Sequence, residues 1–161
     1  MERLRGDETP EEIITLAYGM EEGLARLYRI VAQREENADV AGLLVKLSGF
    51  EEKHKQRLFE LYVTMNDSVM DRQSFEEGIV SDMMEGGFTT DEFLEQNRAA
   101  METMPGVINV AMMLETQALD LYLRYSHRAE EKRSKEVLFG IAEEEKAHLK
   151  ALGAIMDKHR Q

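Results

Sequence analysis

The residues with the clearest chemistry in this sequence form one pattern that occurs twice. Each copy contains two glutamates, a tyrosine and a histidine, and the second copy follows the first at a constant offset of 94 residues (115 − 21). The copies are Glu21, Tyr28, Glu51 and His54, and Glu115, Tyr122, Glu145 and His148. Carboxylates and imidazoles bind metals such as iron and manganese. The pattern therefore predicts a site for two metal ions.

The spacing of these ligands is suited to one shared site. Glu51 and His54, like Glu145 and His148, are three residues apart, so both members of each pair lie on one helix face. One glutamate from each of two helices, plus a Glu-x-x-His pair from each of two others, is the ligand set of di-iron and di-manganese carboxylate bundles. With two bridging carboxylates, each metal would receive one histidine and one further carboxylate. The alternative is a group of salt-bridged core residues without metal.

Tyr28 and Tyr122 are candidate catalytic residues because of their position relative to the glutamates. Each follows a predicted ligand, Glu21 or Glu115, by two helical turns on the same face. Helical side chains lean towards the N-terminus, so each phenol is expected to reach back towards a metal-bound carboxylate and orient it. The alternative is a core tyrosine that is hydrogen-bonded to another group.

Four long helices are needed to position these residues, and apolar periodicity predicts them. Helix A is predicted at about 10–36, helix B at about 39–66, helix C at about 105–130 and helix D at about 133–158. The A–B and C–D connections are short, so each pair should form an antiparallel hairpin.

The start of each half of the chain carries a helix-initiation signal. Thr9 is a natural N-cap, and Pro10 follows it at the first helical position. Pro105 marks the start of helix C in the same way. Asp39 is a possible cap for helix B.

Glutamate and histidine occupy heptad positions at which apolar residues are expected. The positions are 44, 47, 51, 54, 58 and 61 in helix B and 138, 141, 145, 148, 152 and 155 in helix D, and all except the central two in each helix are apolar. Burying an unpaired carboxylate costs several kcal/mol, so a metal cation is the expected partner. The predicted surface residues are Glu22, Glu52, Glu143, Glu144, His127 and His159.

The segment at about 68–104 separates the two hairpins and is too long for a bare loop. Gly86-Gly87 predicts a break in it, and Thr90 predicts the cap of a short helix. A crossover after two helices is the connectivity of ferritin-like bundles. The fold prediction is therefore all-α, with a single ferritin-like domain over 1–161: a four-helix bundle with a long crossover between the second and third helices.

Composition restricts the classes of function. The chain has no cysteine, which excludes disulfides, thiolate metal sites and cysteine nucleophiles. Its net charge of −12 argues against nucleic acid and anionic membranes as partners. The charged N-terminus shows no signal peptide, and no apolar stretch is long enough for a membrane span. A cytoplasmic location is expected.

Four segments resemble the rubrerythrin branch of the ferritin-like superfamily, and the resemblance covers about 10–158. The segments are 21–32 (EEGLARLYRIVA), 50–54 (FEEKH), 115–124 (ETQALDLYLR) and 143–149 (EEEKAHL). The resemblance implies two iron ions per chain, with manganese possible. It places the metal ligands at Glu21, Glu51, His54, Glu115, Glu145 and His148.

Two departures from that family concern its chemistry. Rubrerythrins commonly carry a rubredoxin domain with four cysteines, and this sequence has none. They also have an additional glutamate one turn after the third-helix ligand, where this chain has Ala118. Any electrons for the site are therefore expected from a separate donor.

The predicted function is that of a non-haem di-iron oxidoreductase that reduces hydrogen peroxide or O2 with electrons from an external donor. The alternatives are a ferroxidase or iron-handling protein of the ferritin-like type, and a non-catalytic metal-binding bundle. A homodimer is expected, with apolar surface offered by Phe88, Phe93 and Leu94 in the crossover.

Overall fold

The computed structural model describes residues 8–67, 70–79 and 89–160, and its regular elements in these ranges are all helical. The fold is therefore all-α, as predicted. The six α-helices are α1 (Pro10–Arg34), α2 (Ala38–Asn66), α3 (Arg72–Glu77), α4 (Thr90–Gln96), α5 (Met104–Arg128) and α6 (Lys132–Lys158), with a 3₁₀ turn at Ala99–Met101 before α5. None of the helices in these ranges combines the length and the apolar character needed to cross a bilayer.

The first helix begins where the sequence predicts. The Thr9 side chain accepts a hydrogen bond from the backbone N–H of Glu12, and the Glu12 side chain accepts one from the backbone N–H of Thr9. This reciprocal capping box satisfies two N–H groups at the helix start. Pro10 occupies the first turn, where its missing N–H costs nothing.

The connection between α1 and α2 differs slightly from the prediction. α1 ends at Arg34 rather than at 36, and Asn37 caps α2 in place of Asp39. The Asn37 carbonyl oxygen accepts hydrogen bonds from the backbone N–H groups of Asp39 and Val40. Because Asn37 is the cap, the first helical residue is Ala38, one residue earlier than expected.

The duplicated residue pattern coincides with duplicated helices. α5 begins and ends 94 residues after α1 (104 − 10 and 128 − 34), and α6 begins 94 residues after α2 (132 − 38). α1 packs against α2, α5 packs against α6, and α2 packs against α6. The four long helices therefore place both copies of the pattern in one shared core.

The predicted apolar seams of α2 and α6 are largely buried. Leu44, Leu47, Leu58 and Leu61 are buried along α2, and Leu138, Ile141 and Leu152 are buried along α6. Ile155 is only partly buried, and the next residue, Met156, is buried in its place. Each buried leucine stabilises the core by about 1.5–3 kcal/mol.

Short helices occur between α2 and α5, as predicted. Thr89 caps α4 through a second capping box, whereas Thr90 is its first helical residue and is buried. Phe93 is also buried, so the prediction that Phe93 offers surface for a partner is wrong; it packs into the core of its own chain. Leu94 is partly buried against the same core. The predicted break at Gly86-Gly87, and Phe88, lie outside the described residues.

The 3₁₀ turn before α5 requires a glycine in the first turn of that helix. A Cβ atom built at Gly106 would lie 1.7 Å from the carbonyl oxygen of Ala100. Such a contact with backbone leaves no room for any other side chain. The turn can therefore fold back closely on α5 only because residue 106 is glycine.

Candidate metal centre

The six predicted ligands lie together in the interior, with between 0 and 5 % of each residue exposed. Their potential ligand atoms form two groups, and within each group the atoms lie within 4.8 Å of one another. The first group, here called the His54 position, is Glu21, Glu51, His54 and Glu145; the second, the His148 position, is Glu51, Glu115, Glu145 and His148. Such clustering of buried carboxylates and imidazoles is compatible with a di-iron site.

Glu51 and Glu145 belong to both groups. They lie on α2 and α6, which pack against each other. One oxygen of each carboxylate faces His54 Nδ1 and the other faces His148 Nδ1, so both carboxylates lie between the two histidines. Glu21 from α1 and Glu115 from α5 each belong to one group. Each position is thus offered one histidine, one carboxylate of its own and two shared carboxylates.

The ring of His54 faces three carboxylates through one nitrogen. Its Nδ1 lies 3.0 Å from Glu51 Oε2, 3.2 Å from Glu145 Oε1 and 3.6 Å from Glu21 Oε2. None of these approaches has hydrogen-bond geometry, and Nδ1 and all three oxygens have no hydrogen-bond partner within the described chain. Buried polar atoms left unpaired cost about 1–3 kcal/mol each. A cation among them would satisfy all four at once, so the residues fit a metal ion.

The ring of His148 also faces three carboxylates through Nδ1, with Glu115 in place of Glu21. Its Nδ1 lies 3.0 Å from Glu145 Oε2, 3.1 Å from Glu115 Oε2 and 3.8 Å from Glu51 Oε1. The first two contacts are hydrogen bonds. Without metal, this imidazole is therefore held by the carboxylates that would share a metal with it.

Burial and crowding shift the titration of these groups in the metal-free protein. Burial, with the negative charge of Glu21 added to it, raises the pKa of Glu51 well above its ordinary value. Burial also raises the pKa of Glu115 to about 8, although the hydrogen bond from His148 opposes it. For His148, burial lowers the pKa, but hydrogen bonds to Glu115 and Glu145 outweigh it and raise the pKa to about 9. The metal-free cluster thus retains protons that a metal ion would displace.

The two tyrosines bind carboxylates of the opposite copy of the pattern. The Tyr28 hydroxyl on α1 donates a hydrogen bond to Glu115 Oε1 on α5, at 2.5 Å, and the Tyr122 hydroxyl on α5 donates one to Glu21 Oε1 on α1. Burial raises the pKa of both phenols well above its ordinary value, so both remain O–H donors. The sequence predicted that each tyrosine would reach a ligand carboxylate, and the structure shows that it reaches across to the other half.

Replacing Tyr28 by phenylalanine is expected to leave both metal ions bound but to lower the reduction potential of the site. Without the O–H donor, Glu115 presents more negative charge to a bound metal and stabilises its oxidised form. Iron content and a spectroscopic redox titration would measure the two effects. Tyr62→Phe on α2, where the ring packs against Phe75, is the matched control. Complete loss of metal from Tyr28→Phe would contradict a supporting role for this phenol.

Sequence reasoning missed Glu144, which it placed on the solvated face. Glu144 Oε2 lies 2.9 Å from His54 Nε2, and Glu144 Oε1 accepts a hydrogen bond of 2.6 Å from Arg57. Burial raises the pKa of Glu144, but His54 and Arg57 outweigh it and lower the pKa overall. One feature of the sequence could have indicated this role, because Glu144 directly precedes the ligand Glu145. To predict the contact, however, one must know that α6 packs beside His54 on α2, and local periodicity does not reveal which helices pack together.

Two other predicted surface acids are also only partly exposed. Glu22 and Glu52 form ion pairs with Lys55, which is itself buried. This small network joins α1 to α2 beside the ligand residues. Glu143 is exposed, as predicted, and so are His127 and His159.

Comparison with known proteins gives a fold and no function. No protein-family profile matches the chain, and no curated protein sequence matches it at a significant level. The solved structure of a hypothetical protein from Pyrococcus furiosus is similar, with a TM-score of 0.69 at 22 % sequence identity. The alignment covers 96 % of this chain and 92 % of that chain. The likeness therefore supports the overall arrangement of the helices across nearly the whole chain.

Proposed function

We propose that this chain is a di-iron carboxylate oxidoreductase of the rubrerythrin type that reduces hydrogen peroxide or O2 with electrons from a separate donor. In this proposal the four long helices form one ferritin-like bundle, with residues 68–103 as the crossover. The observation that carries the proposal is the pair of overlapping ligand groups with Glu51 and Glu145 in common. Two ligand groups that share two carboxylates can hold two neighbouring ions. A site for one ion would need only one of the groups, and a metal-free core would need neither.

The donor set favours iron or manganese over zinc. Each position offers three carboxylates and one imidazole, whereas structural zinc sites favour thiolates and imidazoles in a closed tetrahedral set. When bound, two Fe(II) ions would supply the two electrons that, with two protons, convert hydrogen peroxide to two water molecules. The protein must hold these ions close together and keep bulk water out.

The residues of this chain contribute to that task in distinct ways. Leu47 and Leu58 lie one turn before and one turn after the Glu51–His54 pair, and both are buried, so they shield the ligands from water along α2. Tyr28 and Tyr122 each fix one oxygen of a ligand carboxylate. With that oxygen held, the other oxygen of each carboxylate remains directed at the cluster.

Rubrerythrins have an additional carboxylate at the position of Ala118, and its absence distinguishes the proposed chemistry from theirs. Ala118 lies one turn after Glu115 on the same face of α5 and is buried. Its methyl group offers no seventh ligand at the position where the family has a glutamate. The sequence also has no cysteine to bind a second iron centre. We therefore propose that reduction of the site depends on another protein or on a small-molecule donor.

Anaerobic reconstitution with Fe(II) tests the proposal directly. The expected result is two iron ions per chain, followed in stopped-flow mixing by faster oxidation with hydrogen peroxide or O2 than iron shows in buffer. The comparison of the two oxidants identifies the preferred one. Continued iron uptake after the first oxidation would favour iron handling, and two ions without accelerated oxidation would favour a non-catalytic role. Failure to bind iron or manganese would overturn the proposal.

A further inference from the structure

The two histidines of the metal centre have different surroundings on the side that faces away from the carboxylate cluster. His54 presents Nδ1 to the cluster, and its Nε2 lies 2.9 Å from Glu144 Oε2. When Nδ1 binds a metal, the ring proton must reside on Nε2. His54 would then donate that N–H to Glu144, which is the arrangement that fixes and strengthens metal-binding histidines.

Glu144 is held in place from its other side. Its Oε1 accepts a hydrogen bond of 2.6 Å from Arg57, one turn after His54 on α2. Gly140, one turn before Glu144 on α6, makes room for this arginine, because a Cβ atom there would lie 2.7 Å from Arg57 Nη2. The carboxylate is therefore oriented by a cation on the same helix as the histidine that it contacts.

The other half of the duplicated pattern lacks this arrangement. Subtracting the repeat offset from Glu144 gives Phe50 (144 − 94), and adding it to Arg57 gives Ala151 (57 + 94). The Phe50 ring lies against His148, with 5.1 Å between ring centroids. Within the described chain, both hydrogen bonds of the His148 ring are made by Nδ1, and no carboxylate is bonded to its Nε2. An apolar ring thus replaces the charged partner.

We propose that Glu144, positioned by Arg57, makes the two metal positions unequal, so that the His54 position binds metal more tightly and fills first. This inference rests on the proposed dimetal function and goes beyond it. A carboxylate behind a metal-bound imidazole increases its basicity and holds its orientation, and loss of such a partner lowers metal affinity by about 10–100-fold. At limiting metal supply, the protein would therefore carry a single ion beside His54.

Calorimetric titration of the metal-free protein with Fe(II) under anaerobic conditions tests this inference without any turnover. The wild type is expected to bind in two steps. Glu144→Gln should weaken the first step by about 10–100-fold, so that the two steps merge. Glu143→Gln is the control, because Glu143 is exposed and pairs with Lys146 on its own helix. Unchanged affinities in Glu144→Gln would overturn the inference.

Single-position backgrounds identify which position Glu144 serves. Glu21 belongs only to the His54 position and Glu115 only to the His148 position. Adding Glu144→Gln to Glu115→Ala should therefore weaken the remaining binding step. Adding it to Glu21→Ala should have no effect. The reverse result would mean that Glu144 supports metal binding at the His148 position, and it would overturn the inference.

A gain of affinity provides a readout that structural damage cannot imitate. Phe50→Glu places a carboxylate behind His148 at the position equivalent to Glu144, and should tighten the second binding step by about 10-fold or more. An unchanged second step in a variant that melts cooperatively would contradict the inference. Absence of iron binding in the wild type would instead overturn the proposed function, so the two failures are distinguishable.

Discussion

Replacing Glu51 by alanine is expected to abolish metal binding at both positions, whereas replacing Glu21 removes only one ion. Glu51 contributes to both ligand groups, and both of its oxygens lack a hydrogen-bond partner within the described chain. Without it, each position retains one histidine and two carboxylates, and both positions lose one of the two carboxylates that they share. We expect iron content to fall from two ions per chain to fewer than about 0.2, which corresponds to a loss of at least 10-fold in occupancy.

The measurement is elemental analysis after anaerobic reconstitution and desalting, for the wild type and for Glu51→Ala, Glu145→Ala and Glu21→Ala. Glu60→Ala is the matched control, because Glu60 lies on the same helix as Glu51 and is exposed. Circular dichroism and a cooperative thermal transition show that each variant is folded. Retention of two ions by folded Glu51→Ala would disprove the assignment of Glu51 as a shared ligand.

The positions of the ligands could be predicted because charged residues interrupt the apolar periodicity of the helices there. α2 has leucine at the seam positions 44, 47, 58 and 61, with Glu51 and His54 between them, and the structure buries all six. A charged pair at the centre of an apolar seam can be explained only by a partner inside the protein. Periodicity therefore indicates both the helix face and the need for a counter-charge.

Contacts between helices could not be predicted in the same way. The apolar periodicity of α6 shows which face of that helix is buried. It does not show which side chains of α2 lie next to the border of that face, so the contact of Glu144 with His54 was not predicted. The same applies to the tyrosines. The tendency of helical side chains to point towards the N-terminus gave no indication that Tyr28 on α1 would reach Glu115 on α5. Phe93 was expected at the surface because ferritin-like bundles commonly associate and apolar residues in the crossover could form the interface. Its burial depends on the packing of α4 against α1.

The metal-free protein is expected to lose stability as the pH rises from about 5.5 to about 8.5. The ordinary pKa of a glutamate is 4.5, whereas Glu115 in the folded protein has a pKa of about 8. The ordinary histidine value is 6.5, and folded His148 has a pKa of about 9. Across this window the folded protein therefore binds more protons than the unfolded chain. Stability from a raised pKa is complete below the unfolded value and is lost as the pH passes the folded value.

Bound metal should reverse this dependence. Because a metal ion displaces the protons of the cluster, its affinity increases with pH over the same range, and with it the stabilisation that it confers. Each pKa unit corresponds to about 1.4 kcal/mol, and about 1 kcal/mol shifts the melting temperature of a chain this size by about 2–4 °C. We expect the metal-free Tm to fall by on the order of 10 °C between pH 5.5 and 8.5, and the difference between metal-bound and metal-free Tm to widen.

Thermal melts at pH 5.5, 7 and 8.5 with and without Mn(II), which avoids oxidation during heating, measure both trends. Glu51→Ala is the control for metal, since Mn(II) should not alter its Tm at any pH. The exposed carboxylates with lowered pKa, Asp39, Asp71 and Glu131, change charge below this window and do not contribute within it. A metal-free Tm that rises with pH would mean that the folded cluster binds fewer protons than the unfolded chain in this window. The buried carboxylates would then be ionised and the two histidines neutral, and a metal ion would have no protons to displace.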